Sequence, residues 1–332
     1  LVPPLSDTSL RWAPMNTVTD KPLYEEASAW EGRDDGPGPE HARWHSVVQP
    51  AESPENSIAV LGFASDEGVR RNGGRQGAAA GPAALRTALG SLAIHDDAPR
   101  YDAGTVTTQG DDLEGAQSEL SDRVEKLIAA GNLAVVLGGG HETAWATHRG
   151  AFRATGGPLK IVNLDAHFDL RAEDRATSGT PFLQISEFLA AENSDSDALH
   201  HGFDYSVFGI SEPNNTRVLF DTAEKLGVET VLDTTLAELT PKEAGDLTAK
   251  AVANSNKPVH LTIDLDGLAA SVAPGVSAPA GFGVSFDRYR AMATAVAATG
   301  KLKLVDVVEL NPDFDVDNRT AKAAARLIHD VV

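Results

Sequence analysis

Residues 159–169 read Leu159-Lys160-Ile161-Val162-Asn163-Leu164-Asp165-Ala166-His167-Phe168-Asp169. A short run of Leu, Ile and Val has the make-up of a buried strand, and it ends abruptly in two acids and a histidine at alternating positions. On an extended segment alternate side chains share a face. Asp165, His167 and Asp169 therefore point into one space if the strand continues into its loop. The same layout recurs along the chain. Leu133 to Leu137 ends in Gly138-Gly139-Gly140-His141, Val259 to Ile263 ends in Asp264-Leu265-Asp266, and Leu302 to Val308 ends in Glu309-Leu310-Asn311-Pro312. Ile58 to Gly62 and Tyr205 to Ile210 are further apolar runs.

Helical segments separate most of these runs. One begins at Gly81-Pro82, carries Leu85 and Leu89 on one face and stops at Gly90, proline being suited to a first turn. Leu113 to Ala130 is amphipathic and stops before Gly131. Another starts at Pro241 with Thr240 and Glu243 spaced as a capping box, and one follows Ser285 and stops at Gly300. Short apolar strands alternating with helices predict an α/β fold: a mainly parallel sheet covered on both faces. No internal repeat and no second domain stands out, so residues 57–332 read as one body. Residues 1–56 are rich in Pro, Gly and charge, yet hold Trp12, Trp30 and Trp44 of the four tryptophans. A disordered tail is poor in aromatics, so this segment reads as an arm packed on the body.

A chain of 332 residues with 42% hydrophobic residues can bury a sizeable core. Its formal charge of -20 argues against nucleic acid or an anionic membrane surface as a partner. There is no cysteine, hence no thiolate nucleophile or thiolate metal site. No apolar stretch approaches the ~20 residues that span a bilayer, and no basic-then-apolar leader opens the chain; a cytoplasmic protein is the expectation.

His141, Asp165, Asp264 and Glu309 each fall at or just past the end of an expected strand. Ligands of open α/β sheets bind outside the carboxyl ends of the strands, so four distant segments are expected to converge there. Clustered carboxylates resist ionisation unless cations accompany them. Hard oxygens mixed with imidazole suit Mn²⁺ or a similar divalent ion. Asp165, Asp169, Asp264, Asp266, His141 and His167 are too many ligands for one ion with an open position, and they suit two ions that activate a shared water. Taken singly, Asp-x-His-x-Asp and Asp-x-Asp also fit ordinary turn chemistry. The glycine run fits a phosphate turn but lacks the phosphate-loop spacing. Their joint placement at strand ends favours the metal reading.

Gly138-Gly139-Gly140-His141-Glu142, Asp165-Ala166-His167-Phe168-Asp169 and Thr262-Ile263-Asp264-Leu265-Asp266 resemble the three signature motifs of the arginase/agmatinase (ureohydrolase) superfamily. The resemblance runs from about Ser57 onward. It implies a three-layer α/β/α sandwich, homo-oligomers and two Mn²⁺. By motif position, one ion takes His141, Asp165, Asp169 and Asp264 and the other Asp165, His167, Asp264 and Asp266, with Asp165 and Asp264 as bridges. Asp169 also orients the hydroxide, and Glu309 holds the cationic amidine-type group of a small-molecule substrate.

Within the superfamily, Phe63 to Asn72, Ser178-Gly179-Thr180-Pro181-Phe182 and Val272 to Pro279 resemble the branch that hydrolyses N-formimidoyl-L-glutamate to L-glutamate and formamide in histidine breakdown. A substrate with two carboxylates calls for cations and neutral donors. Arg171, Ser178, Thr180, Arg70, Asn72, Arg75 and Asn214 are the expected substrate contacts, and Glu212 is an acid that fits an ammonium instead. No histidine occupies Ser178 to Leu183, where arginases carry a proton shuttle, so the proton donor stays unassigned. His148 reads as a solvated helical histidine. The alternatives are a ureohydrolase acting on a guanidine such as guanidinobutyrate or agmatine, and a non-catalytic metal-binding regulator.

Overall fold

The computed structural model describes residues 23–192 and 199–332; Trp12 lies outside them. Among the described residues, ten strands form one sheet: β1 (Tyr24–Glu25), β2 (Gln49–Pro50), β3 (Ile58–Ala64), β4 (Arg100–Thr107), β5 (Leu133–Leu137), β6 (Lys160–Leu164), β7 (Asp204–Ile210), β8 (Glu229–Leu232), β9 (Val259–Asp264) and β10 (Leu302–Val308). Their order is β1-β4-β3-β5-β10-β9-β6-β7-β8, with β2 also on β4. Every pairing is parallel except β1 with β4. The chain lays down β3 and β5, passes outward through β6, β7 and β8, then returns to insert β9 and β10 between β5 and β6.

The helices are α1 (Trp44–Val47), α2 (Glu67–Arg71), α3 (Gly81–Gly90), α4 (Leu113–Ala129), α5 (Thr143–Thr155), α6 (Pro181–Glu192), α7 (Arg217–Lys225), α8 (Asp233–Glu238), α9 (Pro241–Ala253), α10 (Phe286–Ala297) and α11 (Arg319–Val331). Local chemistry sets several of their ends. Asp112 caps α4 by accepting from Gly115 N, and Thr240 and Glu243 close the expected capping box at α9. Gly156, at φ 73°, ends α5 in the left-handed conformation that glycine adopts without a Cβ penalty.

The period of two along the strands divides the core. Val60, Val135, Leu137, Val305, Val307, Leu261 and Ile263 belong to one apolar cluster, with residues of α3, α9, α10 and α11. Ala59, Leu61, Phe63, Ala134, Val136 and Leu304 belong to another, with α4 and α5. Helices thus cover both faces, giving the expected α/β/α layering.

β4, absent from the strands expected above, carries buried Arg100 and Asp102 among its apolar positions. Arg86 of α3 satisfies Asp102 through two bonds, Nε at 2.7 Å and Nη2 at 3.0 Å, so the strand tolerates a charge that hides its period. His148 is also not as expected: it is fully buried on α5, with Nδ1 3.2 Å from Nδ1 of His260 on β9. Helix α5 lies on the sheet rather than against water, which removes the solvated reading.

Within residues 23–56, β1 and β2 pair with β4. Trp44 is fully buried, stacks on Trp30 with centroids 6.3 Å apart, and donates from Nε1 to His329 Nδ1 at 3.0 Å. We propose that this segment is an arm seated on a single body of residues 57–332. Removing its anchor, in Trp44→Ala, should destabilise the whole protein by about 3–5 kcal/mol, read from the urea midpoint. An unchanged midpoint would mean that the arm adds nothing to the body.

Candidate metal centre

Strands β5, β10, β9 and β6 are consecutive in the sheet, and their register keeps their ends level. Leu137 pairs with Val307, Val308 with Asp264, and Ile263 with Leu164. The residues that follow (His141, Glu309, Asp264 to Asp266 and Asp165 to Asp169) therefore meet at one end of the sheet. The glycine run lets the first of these loops reach in. A Cβ on Gly139 would lie 1.8 Å from the Ser65 carbonyl oxygen, a position no side chain can occupy.

The acids at the strand ends share one construction. Asp165 Oδ1 accepts the N–H of His167 at 2.6 Å, and Asp264 Oδ1 accepts the N–H of Asp266 at 2.8 Å. Each side chain closes a turn with one oxygen and turns the other to His141, whose Nδ1 lies 3.1 Å from Asp165 Oδ2 and 3.0 Å from Asp264 Oδ2. Asp169 Oδ2 is 2.9 Å from the same nitrogen. His167 Nδ1 sits 3.1 Å from Asp266 Oδ2. Asp169 and Glu309 both have positive φ, 50° and 72°, a conformation that costs a non-glycine residue about 1–3 kcal/mol. Glu309 is held there from both ends: its N–H donates to Gly139 O at 2.8 Å, and its Oε1 accepts from His141 N at 2.7 Å.

These side chains fit metal ions. His141 Nδ1 is buried without hydrogen-bond geometry to any partner, although three carboxylates surround it. Potential ligand atoms of His141, Asp165, Asp169 and Asp264 lie within 4.8 Å of one another, as do those of Asp165, His167 and Asp266. Asp165 joins the two groups, whereas Asp264 falls in the first alone. Electrostatics agree. Burial and the neighbouring acids raise Asp264 well above the usual carboxyl range, and burial together with the Asp165 charge pushes Asp169 up to about 6. Burial opposes charge on His141, but its carboxylate neighbours outweigh that and hold a proton there.

A cavity of about 350 Å³ opens above this cluster, within the size range of small-ligand sites. Its floor includes His167, Asp169, Asp264, Asp266 and Glu309, and its walls Asn72, Arg75, Arg171, Ser178, Asn214, Asn215 and Ser277. Two expected contacts are not there. Arg70 forms a bidentate pair with Glu67, both bonds at 2.6 Å, and borders a separate cavity of about 390 Å³. Thr180 is buried, its hydroxyl engaged by Gln184 and Thr177. Glu212 does not line the cavity either.

Two asparagines that sequence reasoning did not single out fix the walls. Asn215 accepts from Phe168 N and donates to the carbonyls of Ala166 and Ser211. Asn311 donates to the carbonyls of Arg75 and Gln76. Asn215 lies five residues past the end of β7 and Asn311 three past the end of β10, and that nearness to strand ends was the available signal.

The arginase family model matches residues 56–332. The chain belongs to the arginase family. Among arginase-family relatives, it is 52% identical over 312 residues to formimidoylglutamase of Nocardia farcinica, covering 92% of this chain and 96% of that one. It is 49% identical over 310 residues to formimidoylglutamase of Corynebacterium efficiens, with 92% and 95% covered. A crystal structure of Trypanosoma cruzi formiminoglutamase with Mn2+2 superimposes with a TM-score of 0.74 at 28% identity, covering 85% of this chain and 93% of that one.

The raised Asp169 sets a pH dependence. Its ordinary value of 3.8 rises to about 6 in the fold. As pH climbs through that window the unfolded chain releases a proton that the folded chain retains, so the metal-free protein loses stability. Mn²⁺ needs the ionised ligands. Its addition should therefore raise Tm more at about pH 7.5 than at about pH 5, by differential scanning fluorimetry. An equal gain at both would contradict this account.

Proposed function

We propose that this chain is a binuclear manganese hydrolase that cleaves N-formimidoyl-L-glutamate to L-glutamate and formamide. The observation that carries the reading is the polarised cavity: acids that suit metal ions and an amidine on the floor, arginines and amides at the mouth. The near-50% identity to formimidoylglutamases over almost the whole chain supports the same substrate.

Six residues would hold the ions in this proposal: His141, Asp165, His167, Asp169, Asp264 and Asp266, with Asp165 common to the two groups of candidate ligands. Two Mn²⁺ so held would supply water activation and would offset negative charge that develops in the transition state. Glu309, fixed by the His141 N–H, presents its free oxygen toward the cavity for the formamidinium N–H groups. Asp169 orients the attacking water. Oxygen adds to the formimidoyl carbon, the bond from that carbon to the glutamate nitrogen breaks, and a proton passes to the departing amine. Among the described residues no histidine outside the metal cluster lines the cavity.

At the mouth, the arginines differ. Arg75 Nε and Nη2 donate to the carbonyls of Ser277 and Val276, and its guanidinium lies 3.8 Å over Phe314. The Arg171 guanidinium has no hydrogen bond or ion pair among the described residues, and it stands beside Asn72, which donates to Ser178 Oγ at 3.2 Å. Arg171, Asn72 and Ser178 form one carboxylate subsite, while Arg75 and Asn214 serve the other. We also read the protein as a cytoplasmic homo-oligomer. Among the described residues, no helix is long and apolar enough to cross a membrane.

Manganese-loaded protein should release formamide from N-formimidoyl-L-glutamate, identified by mass spectrometry, and no urea from agmatine or guanidinobutyrate. Urea without formamide would sink the substrate assignment. Arg171→Ala should raise KM by roughly 10–100-fold, the loss of one charge-assisted contact of about 1.5–3 kcal/mol, with kcat little changed. A collapse of kcat at constant KM would place Arg171 in the chemistry instead.

A further inference from the structure

A polar seam runs beneath the metal centre, inside the layer that α5 covers. His260, Thr262 and Asp264 alternate along β9, so their side chains share a face, and Asp306 of β10 is the cross-strand partner of Thr262. Thr147, His148, His260, Thr262 and Asp306 are all fully buried. Asp306 Oδ2 accepts from Thr147 Oγ1 and lies at the same distance, 2.7 Å, from His260 Nε2. His260 Nδ1 is 3.2 Å from His148 Nδ1. At the other end, His141 Nε2 is 3.0 Å from Thr262 Oγ1. Burial works against charge on Asp306, but His260 and the Thr262 hydroxyl hold its carboxyl below the usual range.

Proton accounting gives this seam a direction. If His141 Nδ1 is a metal ligand its lone pair must be free, so its ring proton sits on Nε2 and points at Thr262 Oγ1. A hydroxyl that accepts there has its own proton to offer, and Asp306 is the anion on that side. His260 Nε2–H donates to the same carboxylate, which leaves His260 Nδ1 to accept from His148. Thr147 and His260 both meet Asp306 Oδ2, and Thr262 is its cross-strand neighbour. Asp306 Oδ1 is buried without a partner, so the carboxylate keeps an acceptor free for the Thr262 hydroxyl.

We infer that Asp306 is a positioning residue for the metal centre, acting through Thr262 to fix the ring orientation and tautomer of His141. The inference rests on the assignment of His141 as a ligand. Outer partners of this kind typically change metal affinity by about 10–100-fold. Because His141 belongs to one group of candidate ligands only, a single ion should feel the loss.

The test is Mn²⁺ titration of the metal-free full chain, with bound metal counted by mass spectrometry, for parent, Thr262→Val, Asp306→Asn, His141→Ala and Val124→Ala. Val124 is a buried residue of α4 outside the seam. Thr262→Val and Asp306→Asn should each weaken one of the two ions about 10–100-fold and leave the other near its parental affinity. Val124→Ala should lower Tm without changing either ion. Thr262→Val keeps the shape of the side chain and carries the test alone if Asp306→Asn does not fold. Parental affinity for both ions in Thr262→Val, while His141→Ala loses one, would overturn the inference and leave the ligand assignment standing. Equal weakening in Val124→Ala would also overturn it. Two ions at parental affinity in His141→Ala would remove the assignment on which it rests.

Discussion

Mutual repulsion among buried carboxylates is the constraint around which the rest of this molecule is arranged. Asp165, Asp264, Asp266 and Glu309 are at most 5% exposed, and Asp169 joins them. Two like charges 4 Å apart repel by about 4 kcal/mol at an effective dielectric near 20, so five cannot ionise together without cations. The backbone supplies partial relief. Asp165, Asp264 and Glu309 each accept a main-chain N–H, from His167, Asp266 and His141 in turn. Those bonds orient the carboxylates but do not neutralise them, and the unmet negative charge makes the site a trap for divalent ions.

The sheet turns that local instability into a fixed geometry. β9 and β10 enter last in the chain and sit between β5 and β6, so each ligand-bearing loop leaves from a strand with neighbours on both sides. Strands buried on both faces have little freedom to slip, since a one-residue shift exchanges the two apolar clusters. The strain at Asp169 and Glu309 is tolerable for the same reason. Glu309 follows directly on β10, the central strand, and its own N–H and side chain are both tied to the glycine loop.

Much of this was legible in the sequence because the relevant signals are local. Ile161 to Asp169 announces both a strand and its abrupt polar end, and Thr240 with Glu243 announces a helix start. The turn and metal-ligand readings of Asp165 and Asp264 are geometrically compatible, since one oxygen of each closes the turn and the other faces the cluster. What stayed hidden depends on partners far along the chain. His148 looks like a surface residue until His260, 112 residues later, is placed against it. Arg100 and Asp102 break the apolar pattern of β4, and Asp102 is explained only once Arg86 and Trp30, both distant in sequence, donate to it. Arg70 and Arg75 stand five apart, and the i,i+3 spacing of Glu67 and Arg70 on α2 was a local signal, whereas Arg75 is placed by Val276 and Ser277, 201 and 202 residues later.

The two cavity arginines illustrate how a rigid frame and a free charge divide recognition. Arg75 is fixed by two carbonyls, and its loop is clamped by Asn311, so much of its ordering cost is met in folding. Arg171 keeps its donors uncommitted, so a carboxylate gains its full set of contacts there but must immobilise the side chain. Together they set positive charge at the mouth over negative charge on the floor. A ligand cationic at one end and anionic at the other enters in one orientation only. A guanidine with an ammonium at its far end would bring that charge against Arg75 and Arg171, and agmatine offers them no carboxylate in return. In the proposed function, discrimination would come from repulsion at the mouth as much as from attraction on the floor.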